Sequence, residues 1–274
     1  MKKVIYRSTL LAGVIAINAL PAQAHGPIFS LGPETIYKDG IETHLEYHRA
    51  SDKDETENEL SMGLGYGITQ DWTIAAELPY ASIKEEGANN AGLGNIALET
   101  TYRLWKHNAL GLQDSVAATA RAILDTASTS DDPALSPGTN DFVLGLAYGR
   151  ESLIWQRWAS VRYRFNGKSD AGIERGDQIS VDAVIGWRAR VPQYYKSDTL
   201  WMVEVNSEIT QRSAQNNTPL TDTGGTELFV SPGVIWSYRN TTVKGGVQLP
   251  VYHDLNGDQS QSDYRLKLAL ELIL

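Results

Sequence analysis

The chain has no cysteine, only four phenylalanines and three methionines, and 24 lysines and arginines against 33 acids. Without cysteine there is no disulfide framework, no thiolate zinc site and no thiol nucleophile, so packing and backbone pairing must supply stability. An acidic chain without a basic stripe is not built for nucleic acid, and no nucleic-acid partner is expected. No apolar run reaches the roughly 18 residues of a membrane helix, and the mean hydropathy is negative, which excludes a bundle of membrane helices. Those averages alone describe a soluble acidic protein of one large domain or two ordinary ones.

The patterning says otherwise. Residues 1–24 carry Lys2, Lys3 and Arg7 and no acid, then an apolar stretch from Leu10 to Leu20, then Ala22-Gln23-Ala24. That order predicts a secretory signal cleaved after Ala24, with a mature chain starting at His25 outside the cytoplasm. Loss of those three cations leaves 21 against 33 acids, a net charge near −12.

From Ile41 onward the period is two, in about twelve segments separated by turn chemistry, with no helical period. In the last, Tyr264, Leu266, Leu268, Leu270, Leu272 and Leu274 share one face, with Arg265, Lys267, Ala269, Glu271 and Ile273 opposite. Likewise Leu60, Met62, Leu64, Tyr66 and Ile68 oppose Ser61, Gly63, Gly65, Gly67 and Thr69. No apolar face has a charge in its central five positions. The opposite faces hold Glu42, Glu46, Glu77, Glu99, Arg103, Arg121, Arg162, Arg164, Asp182, Arg188, Glu204, Arg265 and Lys267. A charge facing lipid at mid-bilayer costs roughly 2–4 kcal/mol, so this sorting fits strands between lipid and a wet interior.

Long polar connections (51–58, 82–92, 125–139, 166–176, 211–225 and 253–262) alternate with short ones (69–72, 106–109 and 239–241). The expectation is an all-β, transmembrane antiparallel β-barrel of about 12 strands, with long extracellular loops and short periplasmic turns, in the outer membrane of a Gram-negative cell. Trp72, Trp105, Trp155, Trp187, Trp201 and Trp236 beside short connections form the interfacial girdle at the periplasmic side. Leu274 stands where many such proteins end in an aromatic, and Pro232 demands a bulge or an end of pairing. Residues 25–40 would form a periplasmic or plug segment ahead of a barrel over 41–274.

The stretches Leu64-Gly-Tyr-Gly-Ile-Thr-Gln-Asp-Trp-Thr-Ile-Ala-Ala-Glu-Leu-Pro-Tyr80, Gly92-Leu-Gly-Asn-Ile-Ala-Leu-Glu-Thr-Thr-Tyr-Arg-Leu-Trp105 and Ser231-Pro-Gly233 resemble the outer-membrane transporter family of the meta-pathway of phenol degradation. The resemblance implies a barrel that passes small, often aromatic or apolar, solutes, and it brings no catalytic motif.

A twelve-strand lumen is wider than one that side chains simply fill and narrower than a large porin. Its charges of both signs either set a transverse field for permeating solutes or pair across strands and stiffen the wall. Glu42, His44, Glu46 and His48 share one face at about 6.6 Å spacing, and a free His25 terminus adds a chelating pair. An alternative reading is therefore a copper- or zinc-associated barrel using His25, His44, His48 and Glu46; a non-catalytic structural or adhesive barrel is another. Asp254-Leu-Asn-Gly-Asp258 lacks the spacing of a calcium loop and reads as a solvated loop. No histidine has serine two positions on, as a lipase-like barrel would need, so no enzyme activity and no cofactor are expected. The expected partners are membrane lipid, lipopolysaccharide, a small solute and, during biogenesis, the barrel-assembly machinery.

Overall fold

A computed structural model describes residues 26–85, 87–129, 133–169, 172–193 and 195–274. The predicted signal segment and His25 lie outside the described residues. Twelve strands form the wall: β1 (Ile41–Asp52), β2 (Glu55–Thr69), β3 (Trp72–Glu85), β4 (Ala97–Ala109), β5 (Leu112–Ile123) and β6 (Asp141–Ser152). They continue with β7 (Trp155–Phe165), β8 (Gln178–Arg188), β9 (Asp198–Thr210), β10 (Gly225–Tyr238), β11 (Thr241–Leu255) and β12 (Ser262–Ile273). Each pairs antiparallel with its sequence neighbours, and β12 returns to β1 from Glu42 opposite Ile273 to Asp52 opposite Ser262. Ile41 and Leu274 exchange backbone hydrogen bonds of 3.1 and 2.7 Å, which closes the seam and leaves no free edge. Among the described residues no helix is long and apolar enough to cross a membrane.

Period two becomes two faces. On β2, Leu60, Met62, Leu64 and Tyr66 are exposed on the outer surface, while Ser61, Gly63, Gly65 and Gly67 are buried. Strict alternation would point Trp105 inward. A register shift between Arg103 and Trp105 on β4 lets Leu104 and Trp105 both face out. All six tryptophans predicted for the girdle are exposed on the outside at the short-turn end. The seventh, Trp158, is buried inside.

Three connections depart from the sequence reading. The long loop expected over 51–58 is a two-residue turn, Lys53-Asp54, because β1 and β2 stay paired as far as Ser51 opposite Thr56. Strand β4 runs through Lys106 to Ala109 and turns at Leu110-Gly111, where Gly111 takes a φ of 68°. At the short-turn end, residues 189–197 make a longer link. Pro232 sits inside β10, on its outer face; it and Ser231 face β9 in register but have no register partner on β11. The missing N–H of proline thus falls on a stretch where β10 and β11 are unpaired.

Candidate functional site: the filled lumen

Residues 26–40 run inside the barrel before β1 begins, and the inner wall is shaped around them. Glu204 on β9 is wholly buried and accepts hydrogen bonds from Ile28 N at 2.6 Å, Phe29 N at 3.2 Å, Ser30 N at 2.9 Å and the Ser30 hydroxyl at 2.5 Å. One carboxylate thereby meets three consecutive N–H groups that no strand pairs. Further along, Leu31 N donates to Ser160 Oγ at 3.3 Å, Trp158 Nε1 to Glu34 Oε1 at 2.7 Å, and Ile36 N to Thr73 Oγ1 at 2.9 Å. Tyr37 OH reaches the carbonyl of Leu274 at 2.6 Å.

Apolar packing completes the hold. Ile28 lies in a buried cluster with Trp158, Val184, Leu200, Met202 and Ile235, against which Phe29 packs. These inward apolar residues break the wet-face expectation, and the sequence hint was present: around Leu200-Trp-Met-Val203 and Val234-Ile-Trp236 both faces are apolar. Inward glycines make the room. A Cβ on Gly233 would lie 2.4 Å from Ile28 Cδ1, one on Gly145 2.6 Å from Leu31 Cδ2, and one on Gly67 2.0 Å from Tyr37 O. Of the inward glycines on β2, Gly65 and Gly67 are covered by Ile36 and Tyr37 of the segment, and Gly63 by the His44 ring.

The predicted lumen charges are largely paired with one another. Arg121 bridges Glu77 at 2.6 Å and Glu99 at 3.5 Å. Arg162 meets Asp182 at 3.0 Å, Arg188 meets Asp198 at 2.5 Å, Arg265 meets Glu208 at 2.7 Å, and Lys267 meets Glu46 at 3.0 Å. Arg164 and Arg175 both bind Asp141, which also accepts from Gly167 N and ties two long loops together. Arg103 donates to Gln70 O at 2.9 Å and lies 3.6 Å from Asp71. Lys244, not foreseen, pairs with Glu271 at 2.7 Å, beside Glu42. Some of these pairs join neighbouring strands, as Arg162–Asp182 and Lys267–Glu46 do, while Arg265–Glu208 and Arg121–Glu77 reach past intervening strands.

His44 and His48 share the inner face of β1, the His44 ring lying over Gly63. Among the described residues no three His, Asp or Glu side chains are grouped as a metal site would require.

Two cavities among the described residues bear on function. One of about 800 Å³ opens at the short-turn end, bounded by Glu34, Arg103, Lys106, Glu151, Gln156 and Arg188. The other, of about 710 Å³, indents the outer wall among Trp155, Trp187, Trp201, Met202, Pro232 and Val247, where β10 and β11 lose their pairing.

A closed twelve-strand barrel with an apolar belt, a girdle of tryptophans and a polar interior is an outer-membrane barrel. Residues 60–262 match the family described as "Putative MetA-pathway of phenol degradation", and the chain belongs to that family. Among solved structures, an outer membrane channel of Pseudomonas putida F1 superposes with a TM-score of 0.74 at 12% identity, covering 90% of this chain and 100% of that one. The β-domain of the Bordetella autotransporter BrkA gives 0.50 at 12% identity over 86% and 99% of the two chains. The NanC porin gives 0.49 at 9% identity over 84% and 98%. No curated protein matches the chain. The protein is thus an outer-membrane barrel, its long loops outside the cell and its short turns in the periplasm.

Proposed function

We propose that the barrel passes small apolar or aromatic solutes across the outer membrane, and that residues 26–40 act as a plug that must shift for the lumen to conduct. The observation that carries the solute class is the wall cavity. Its lining is tryptophan, isoleucine, methionine, valine, proline and glycine, and Ile28 of the plug stands behind it against Gly233. An apolar molecule gains about 25 cal/mol for each Å² it buries in such a lining, while a sugar or ion gains nothing comparable. The match to a phenol-degradation family and the likeness to an outer membrane channel support the same reading. Glu204 and the ion-paired wall then serve to seat the plug. Lipid and lipopolysaccharide surround the belt, and insertion falls to the barrel-assembly machinery.

The test is solute uptake into liposomes carrying the pure protein, comparing a small aromatic with a sugar of similar size. Faster uptake of the aromatic supports the reading. Uptake of both at the rate of protein-free liposomes, with the plug seated or displaced, overturns it.

A further inference from the structure

One of the plug's contacts with the wall joins two acids. The Glu34 and Glu151 carboxyls are hydrogen-bonded to each other at the rim of the periplasmic cavity, and Trp158 Nε1 donates to Glu34 from the other side. Two carboxyl groups can hydrogen-bond only if one keeps its proton. The cations that face them are engaged elsewhere: Arg188 with Asp198, Arg103 with Gln70 and Asp71, and Lys244 with Glu271 beside Glu42. Lys106 also borders the cavity, on its exposed side. Among the described residues no cation lies within ion-pair distance of Glu34 or Glu151, so the shared proton rather than a counter-ion joins them.

From this geometry we infer that the Glu34–Glu151 pair is a proton-operated latch, holding residues 33–36 of the plug against β6 while one proton is shared and releasing them when it leaves. Loss of that proton sets two carboxylates against each other in a half-buried site where the nearest buried cations are already held by other acids. Burial already holds the Glu34 carboxyl above the usual carboxylate range, which places release nearer neutrality than for a free acid. The seated plug binds one proton more than the displaced plug. Lower pH therefore favours seating, and rising pH favours release, with a slope of up to about tenfold per pH unit. The latch deepens the plug reading above and rests on it for its consequence in transport.

A chain without cysteine allows a clean test. Ile36 is 6% exposed and two residues from Glu34, so an Ile36→Cys reporter is shielded from a water-soluble thiol reagent while the plug is seated. Its labelling rate in liposomes, divided by that of an exposed Lys38→Cys reference to remove the thiol's own titration, is followed across neutral and mildly alkaline pH. Solute uptake is measured in parallel. The expected result is a ratio that climbs with pH, and a low, flat ratio when Glu151→Gln is added, since the amide donates to Glu34 at every pH. A flat ratio without Glu151→Gln, or an unchanged climb with it, overturns the latch. A climb abolished by Glu151→Gln but accompanied by no uptake at any pH upholds the latch and refutes the channel. Heat-modifiable migration of each variant verifies that the barrel is folded.

Discussion

The carboxylate of Glu204 accepts a hydrogen bond of 2.6 Å from the backbone N–H of Ile28, 176 residues earlier in the chain. The same carboxylate also accepts from Phe29 N, Ser30 N and the Ser30 hydroxyl. The N-terminal segment has no strand partner over these residues, and Glu204 is sealed from water.

Replacing Glu204 by alanine leaves three N–H groups unpaired in a dry setting, at roughly 1–3 kcal/mol each if they stay there. The cheaper outcome is that the segment leaves. Glu204→Ala is expected to raise single-channel conductance and to make residues 26–36 sensitive to protease, with the barrel still heat-modifiable. Unchanged conductance together with an intact, protected segment would show that the carboxylate is not the anchor.

At Gly67 the plug and the wall meet backbone to backbone. A methyl group there would fall 2.0 Å from Tyr37 O and 2.7 Å from Ile36 O, and neither can rotate away. Gly67→Ala should therefore displace the segment as Glu204→Ala does, whereas Gly145→Ala meets only the mobile end of the Leu31 side chain, at 2.6 Å. Protease sensitivity of the segment in the two variants separates a backbone clash from a side-chain one.

Val181 sits in the middle of β8 on the outer face, 49% exposed to what would be lipid. An arginine there should cost roughly 2–4 kcal/mol of barrel stability. Folding into lipid vesicles as a function of urea measures it directly. A cost near zero would place Val181 outside the apolar belt.

For the inner face of β1 the expectation is negative. Glu46 is bound to Lys267, the His44 ring is laid over Gly63, and His48 has Lys267 and Arg265 as neighbours. Titration calorimetry with copper and zinc on the mature protein should give the same heats before and after His44→Ala/His48→Ala. A loss of heat in the double variant would mean that these histidines bind metal after all.

The strands were legible in the sequence because lipid and lumen are opposite solvents. A side chain at Leu64 or Leu270 must answer to one, Ser61 or Lys267 to the other, and the pleat turns that into a period of two. Loop lengths were less legible. Nothing in Ser51 to Asn58 says that β1 and β2 remain paired until two residues separate them, since polar residues serve an extended strand rim as well as a loop. The filled lumen was hardest to foresee. Gly63, Gly65, Gly67, Gly145 and Gly233 announce that something comes close, but a bare Cα does not say what.

By itself the sequence determined twelve alternating strands, a charge-free outer face, a tryptophan girdle and inward charges, because each follows from local patterning against two solvents. Only the tertiary structure decided which charges pair, that Trp158 and Glu204 belong to the plug's seat, and that Glu34 meets Glu151. The contacts of the N-terminal segment join residues more than a hundred positions apart, and the register of twelve strands closed on themselves is what brings them together.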